Sequence, residues 1–240
     1  MSQATPTTFG LLGMLAVHSW TGYELTGQLR RSLRFVWPIS EGHLYREQKR
    51  LVELGWARVE REVHNGRNRN RYVITEAGEQ ALDGWFRSET REPRFEIEGM
   101  LRLFHGSFTG AAELQATMVE TAVSARVMMA ELVGYAEEYL AEGGPLWMLE
   151  RGVGGPGERL EWLGREVYPE RLHVIALVID GTTRLLETLA DFADQTAAEA
   201  GDWESPASAE LTGATRARLE AVVQRSRDHV AEAPAKTARA

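Results

Sequence analysis

Ser40-Glu-Gly-His-Leu-Tyr-Arg-Glu-Gln-Lys-Arg-Leu-Val-Glu-Leu-Gly55 reads as one capped helix with a basic face. Ser40 stands where an N-cap oxygen satisfies the free amides of a first turn. Gly55 stands where a left-handed residue ends the helix. Leu44, Gln48, Leu51 and Leu54 recur at helical spacing and predict a buried side. The opposite side presents Gly42, Arg46 and Lys49, with His43, Tyr45 and Arg50 at its flanks. Two short strands are expected next, at 56–63 and 71–75, joined by His64-Asn-Gly-Arg-Asn-Arg-Asn70. A basic helix followed by a basic-tipped hairpin is the pattern by which a winged helix-turn-helix meets duplex DNA. The helix suits the major groove, and the hairpin tip reaches the flanking backbone or the minor groove.

The residues on either side agree. Thr7 to Ser19 is apolar at helical spacing through Phe9, Leu12, Leu15 and Ala16. Thr21-Gly-Tyr-Glu24 is a capping box, and Leu25 and Leu29 carry that second helix onward, with Leu33 covering its end. Pro38 stops the helix from running into the next one. Thr75 caps a fourth helix at 76–88. The expected order is helix, helix, helix, strand, wing, strand, helix.

This order, with these residues, resembles the PadR family of bacterial transcriptional regulators. The matching stretches are Leu11-Leu-Gly-Met-Leu15 before Gly22-Tyr-Glu-Leu25, then Leu44-Tyr45 with Arg50-Leu51, Leu54-Gly55, and Arg71-Tyr-Val-Ile-Thr-Glu-Ala-Gly78. They span about 80 residues and are specific as a set. Around Leu44-Tyr45 the chain departs from the family pattern. Thr or Ser is common before that pair and Pro after it, whereas this chain has His43 and Arg46. Changed groove-facing residues bear on the operator sequence, not on the fold. Glu98-Gly-Met-Leu-Arg-Leu-Phe104 resembles the opening helix of the family's longer C-terminal domain.

On the reading helix, Arg46 is the best base-reading candidate, since a guanidinium bridges guanine O6 and N7. Lys49 and Arg50 suit phosphates, and Tyr45 a phosphate through its hydroxyl, as the resemblance also implies. Gly42 lets the helix N-terminus beside Ser40 approach an anion. His43 is a base reader or a bystander, and Tyr23 touches a phosphate or packs with its hydroxyl outward. A solvated face with Lys49–Glu53 and Glu47–Arg50 pairs is the bland alternative. In the wing, Asn65-Gly66 suits a tight turn. Arg67, Arg69 and Arg71 alternate with Asn68 and Asn70, and alternate residues share one face of an extended strand. Arg67 and Arg69, with Asn65 and Asn68, are expected at the DNA backbone; Arg71 is an alternative partner for Glu60 or Glu62. Trp37, Trp56 and Tyr72 read as structural.

The chain has 240 residues and a net charge of −8, which taken whole argues against nucleic acid. Residues 1–88 carry 12 Lys and Arg against 9 Asp and Glu, net +3, and residues 89–240 carry the other 15 against 26, net −11. Phosphate contact depends on the local patch, so the front keeps its reading. Zero cysteines excludes disulfides and thiolate metal sites. No apolar run reaches membrane-spanning length and no signal peptide is evident, so the simplest location is the cytoplasm, away from any membrane. The six His residues are scattered, and neither a phosphate loop nor a nucleophile elbow occurs. No cofactor, metal or enzymatic activity is expected.

Behind the front domain, two long helices are expected at about 110–142 and from Pro169 to about 200. Each carries an apolar stripe with alternating spacings of three and four, a heptad pattern. Leu114, Met118, Met128, Leu172, Ile175, Ile179, Leu186 and Leu189 are the dimerisation candidates on these stripes. A second apolar flank (Val119, Ala122, Met129 and Val133; Val178, Leu185 and Phe192) exceeds what one partner covers. That favours a homodimer over packing within one subunit, and the resemblance implies a homodimer too. Glu158 to Val167 is expected as a short helix. Trp147, Trp162 and Tyr168, beside a Gly-rich bend, either plug the core or wall a pocket. The resemblance implies a small, commonly aromatic, effector. A tail helix is expected at 211–230, with 231–240 disordered.

The expected class is mainly α with a small β-hairpin: a winged helix-turn-helix at 1–90, an all-helical dimerisation and effector domain at 91–203, and a polar tail at 204–240. The expected function is a homodimeric repressor that reads a palindromic operator in double-stranded DNA. The alternative is a winged-helix protein-interaction module without DNA binding.

Overall fold

Thr5 and Thr8 open the first helix, α1 (Pro6–Val17), by bonding each other's backbone amides. They do so in a computed structural model that describes residues 4–64, 67–155, 157–208 and 211–231. The capping box at Thr21 and Glu24 forms as expected and starts α2 (Gly22–Leu33). Between these helices Trp20–Thr21 forms a two-residue strand, β1, too short for any periodicity to announce. Helix α3 (Glu41–Glu53) begins where expected, but the Ser40 side chain makes no capping bond. Its first turn is held instead by Glu41, which pairs with Arg30 at the end of α2. Gly55, at φ +72°, turns the chain out of α3.

The second wing strand is longer than expected, and the first has the expected length, displaced by one residue. β2 (Ala57–His64) and β3 (Arg67–Ile74) pair in register from Ala57↔Ile74 out to His64↔Arg67. Residues 67–70 are therefore ladder, not loop. β1 joins the far edge of β3, giving an antiparallel sheet in the order β1-β3-β2. Thr75 then caps α4 (Glu76–Phe86). Leu11, Leu12, Leu25, Leu29, Leu44 and Leu51 are fully buried between the helices and the sheet. Each contributes about 1.5–3 kcal/mol by leaving water. Trp56 and Tyr72 pack on this core, as the sequence suggested.

Residues 1–95 form one compact unit and 96–240 a second. The second opens with α5 (Glu98–Phe104), whose Gly99 lies so close to Thr121 that a Cβ there would meet its hydroxyl at 2.0 Å. The two long helices are α6 (Ala111–Leu140) and α8 (Leu172–Gly201), with the short α7 (Pro145–Glu150) between them. Met118 and Ala122 of α6 pack on Ala193 and Ala197 of α8, and Tyr139 lies near Leu172, so the two run antiparallel. The seam follows most of the expected stripe: Leu114, Met118, Ala125 and Leu132 of α6 are buried, as are Leu172, Thr182, Leu186 and Ala193 of α8. Ala122, expected on the outer flank, joins the seam, and Thr121, Met128 and Tyr135 are only half-buried.

The short helix expected over 158–167 is instead a hairpin, β4 (Leu160–Trp162) and β5 (Arg165–Val167). Leu160, Trp162 and Val167 face inward and Glu161 outward, a period of two that cannot be satisfied on a helix. Leu163 and Gly164 at its tip both have positive φ, +50° and +68°, the conformation of the tight turns that match strand twist. The mainly helical, winged-helix class holds, with this hairpin as the local exception. A last helix, α9 (Thr212–Ala231), coincides with the expected tail helix, while residues 232–240, expected to be disordered, lie outside the described residues.

Candidate nucleic-acid interface

Helix α3 is anchored by two buried polar side chains. Gln48 donates from Nε2 to the Gly22 carbonyl at 3.0 Å and to Thr26 Oγ1 at 2.8 Å, fixing α3 against α2. Glu47, only 5% exposed, lies against the N-terminus of α1. It accepts from the Thr8 hydroxyl, and from the Thr5 hydroxyl at 3.4 Å. The start of a helix favours an anion, so the site suits a carboxylate. Its other oxygen faces His43 Nε2 at 3.7 Å and Arg50 Nη1 at 3.6 Å.

These anchors divide the expected reading residues. Ser40, Gly42, Tyr45, Arg46 and Lys49 are exposed on the side of α3 away from the core. Tyr23, at the start of α2, is 81% exposed, which removes the alternative that it packs in the core. His43 is half-buried, and Arg50 is only 14% exposed and lies on the α1 flank. The Glu47–Arg50 pair of the bland reading therefore exists. Trp37 donates from Nε1 to Thr7 Oγ1 at 3.1 Å, a structural contact.

In the wing, pairing places Arg69 opposite Glu62 and Arg71 opposite Glu60, on the same face. Arg71 grips Glu62 in a fork, with Nε at 2.7 Å and Nη2 at 3.2 Å, and donates to the Ser19 carbonyl at 2.7 Å. Glu60 takes Arg58 at 2.7 Å. The expected row of three guanidiniums is thus partly offset by carboxylates on its own face, and Arg71 is a structural residue. Arg69 and Asn68 are exposed. Asn65 lies outside the described residues, and of Arg67 only the backbone is described. The opposite face carries an exposed cation that sequence reasoning missed, Arg61, across from Asn70. The signal was available: Val59, Arg61 and Val63 alternate along one strand.

In the second unit, Trp162 is buried with Leu160, Val167 and Leu172. Trp147 is half-buried, with the Arg151 guanidinium 3.9 Å over its ring. Tyr168 donates to Glu166 at 2.9 Å; burial, with that bond second, pushes its hydroxyl up to about 12. Of the eight dimerisation candidates, Leu114, Met118, Leu172 and Leu186 are buried within the chain itself, and Met128, Ile175, Ile179 and Leu189 are half-buried. Among the described residues no cluster of His, Asp and Glu could hold a metal, and no helix is long and apolar enough to cross a membrane.

Comparison with known proteins points the same way. Residues 11–84 match the model of the transcriptional regulator PadR-like family. No curated protein matches the chain. Among solved structures, Bacillus subtilis PadR in complex with operator DNA superposes with a TM-score of 0.63 at 18% identity, over 82% of this chain and 99% of that one. The same protein in complex with p-coumaric acid gives 0.55 at 16%, over 84% and 100%. A Streptococcus mutans UA159 protein gives 0.61 at 19%, over 81% and 99%. The Vibrio cholerae virulence activator AphA gives 0.56 at 21%, over 80% and 96%.

Proposed function

We propose that this chain is a PadR-like DNA-binding regulator, a homodimeric repressor of a palindromic operator, a reading supported by the match of residues 11–84 to the transcriptional regulator PadR-like family. The observation that carries the reading is the exposed Arg46 and Lys49 on the outward side of an α3 anchored on its other sides by Gln48 and Glu47. A rigidly held helix with outward cations is what a major groove receives. Arg46 reads a base edge; Lys49 and the Tyr23 and Tyr45 hydroxyls meet phosphates; Ser40 and Gly42 let the first-turn amides approach the backbone. Arg67, Arg69, Asn65 and Asn68 serve the flanking backbone from the wing. The family regulates transcription and is not one of enzymes.

The dimer rests on apolar surface left open by one chain. Val119, Val123, Val127 and Val133 line the outer side of α6, and Val174, Leu177, Val178 and Leu185 that of α8, all exposed. Patches of this extent mark association surfaces, and a two-fold axis pairs two reading heads with two half-sites. These outer stripes, more than the buried seam, are the surface we assign to the second copy. An aromatic effector near Trp147 and Tyr168 would change the spacing of the heads, provided it binds one spacing more tightly than the other. Trp162 supports that region from beneath. DNA as partner places the protein in the cytoplasm.

The test is binding to a fluorescent duplex taken from upstream of the protein's own coding sequence, against a shuffled duplex, across a salt series. Preference for the upstream duplex, with affinity falling steeply in salt, is expected. Absence of binding to both at the lowest salt would overturn DNA binding and favour a protein-interaction module.

A further inference from the structure

We infer that Glu47 is a positioning residue that decides which cations of α3 reach DNA, holding Arg50 on the protein side and leaving Arg46 and Lys49 to the duplex. The inference rests on the DNA-binding reading above. α3 offers Arg46, Lys49 and Arg50 as three positive charges, and their spacing puts Arg50 at the flank of the outward side without saying whether it is free for a phosphate. The fold separates them. Arg46 and Lys49 are exposed, while Arg50 lies 3.6 Å from the buried Glu47 carboxylate and keeps 14% of its side-chain surface. Glu47 cannot follow Arg50 outward, because Thr8 and Thr5 donate to its other oxygen. Those two hydroxyls are themselves fixed by the capping box that starts α1.

The energetics favour retention. Leaving a buried carboxylate without its cation costs more than an exposed phosphate contact returns. His43 stands on the same flank, 3.7 Å from the same carboxylate, one turn before Glu47. The carboxylate thus faces the side chains of one flank of the helix and leaves the opposite, solvent side to the ligand. A helix carrying fewer loose cations makes fewer sequence-independent contacts, so more of its affinity comes from base edges.

The experiment counts phosphate contacts by the salt dependence of binding, a readout that a purely structural role for Glu47 would not move in this pattern. Each neutralised phosphate adds about 0.9 to the slope of log affinity against log salt. The full chain is titrated with the upstream duplex and with its shuffled counterpart as native protein, Arg50→Gln, Glu47→Gln and the double variant, each checked for a cooperative melt. Arg50→Gln is expected to leave the native slope unchanged. Glu47→Gln is expected to steepen it by about 0.9, roughly a threefold greater loss of affinity between 50 and 200 mM salt, and to narrow the preference for the upstream duplex. The double variant should return to the native slope.

A native-background Arg50→Gln slope that falls by about 0.9 would show Arg50 already on the DNA and overturn the proposal, whether or not Glu47→Gln folds. A steeper slope that persists in the double variant would also overturn it, since the gain would not pass through Arg50. Native protein that binds neither duplex would overturn the DNA-binding reading, and the proposal with it.

Discussion

Gly78 is required by contact, not by backbone angle. A Cβ at this position would lie 2.2 Å from the Trp56 carbonyl oxygen, where β2 leaves α3 and α4 crosses it. Gly78→Ala is expected to destabilise the front unit by about 1–3 kcal/mol, read as a lower urea midpoint; an unchanged midpoint would mean that α4 shifts freely. Arg46 is the opposite case, an exposed side chain whose loss should spare the fold. Arg46→Ala is expected to weaken binding to the upstream duplex by about 1–3 kcal/mol while the melt stays put. Retained preference for that duplex would remove Arg46 from the reader. At this scale the sequence says which side of α3 a residue belongs to, but not what its side chain meets. Spacing puts Arg46 on the outward side and Arg50 at its flank, but only the structure shows the carboxylate that Arg50 meets. Glu47 sits at helical spacing from Leu44 and Leu51, yet its charge disguised a buried position.

Helices with strong caps were legible as elements: α2 and α4 begin where Thr21 and Thr75 place them. The β4–β5 hairpin was not, because its strands are three residues each, and so short a run of alternation competes poorly with helical spacing. Its tip is strained where Leu163 adopts positive φ. Leu163→Gly is expected to relieve that tip and raise stability modestly, by about 1 kcal/mol; a fall would show that the exposed leucine packs on something in solution. Tyr168, next to β5, gives the same region a pH dependence. Its folded pKa of about 12 exceeds the ordinary 10, so it favours folding fully below pH 10, and that contribution is lost as pH rises from 10 to 12. Tyr168→Phe should lose less thermal stability than native protein across that interval. Parallel losses in the two would assign the transition elsewhere.

For the whole molecule, the outer valines of α6 and the N-terminal half of α8 are the surface on which the proposed dimer rests. An aspartate in the middle of an apolar association surface is poorly tolerated, because its charge must be buried without a partner. Val123→Asp with Leu177→Asp is expected to convert dimer to monomer in sedimentation, and to cost well over tenfold in affinity for the upstream duplex. The second loss follows because two linked heads bind with high effective concentration. A native chain that sediments as a monomer would overturn the dimer outright.

The four helices and two wing strands of the front unit, the caps at Thr21 and Thr75, the core leucines and the basic character of α3 were determined by the sequence alone, since each is a local matter of spacing, capping chemistry or charge. Three things waited for the tertiary structure: the entry of Ala122 into the α6–α8 seam, the pairing of Arg71 with Glu62 across the wing, and the burial of Glu47 at the start of α1. Each depends on what a side chain meets from a distant part of the chain. Spacing along one helix or strand says which residues share a face, but only packing says which face is covered and which charge is already spoken for.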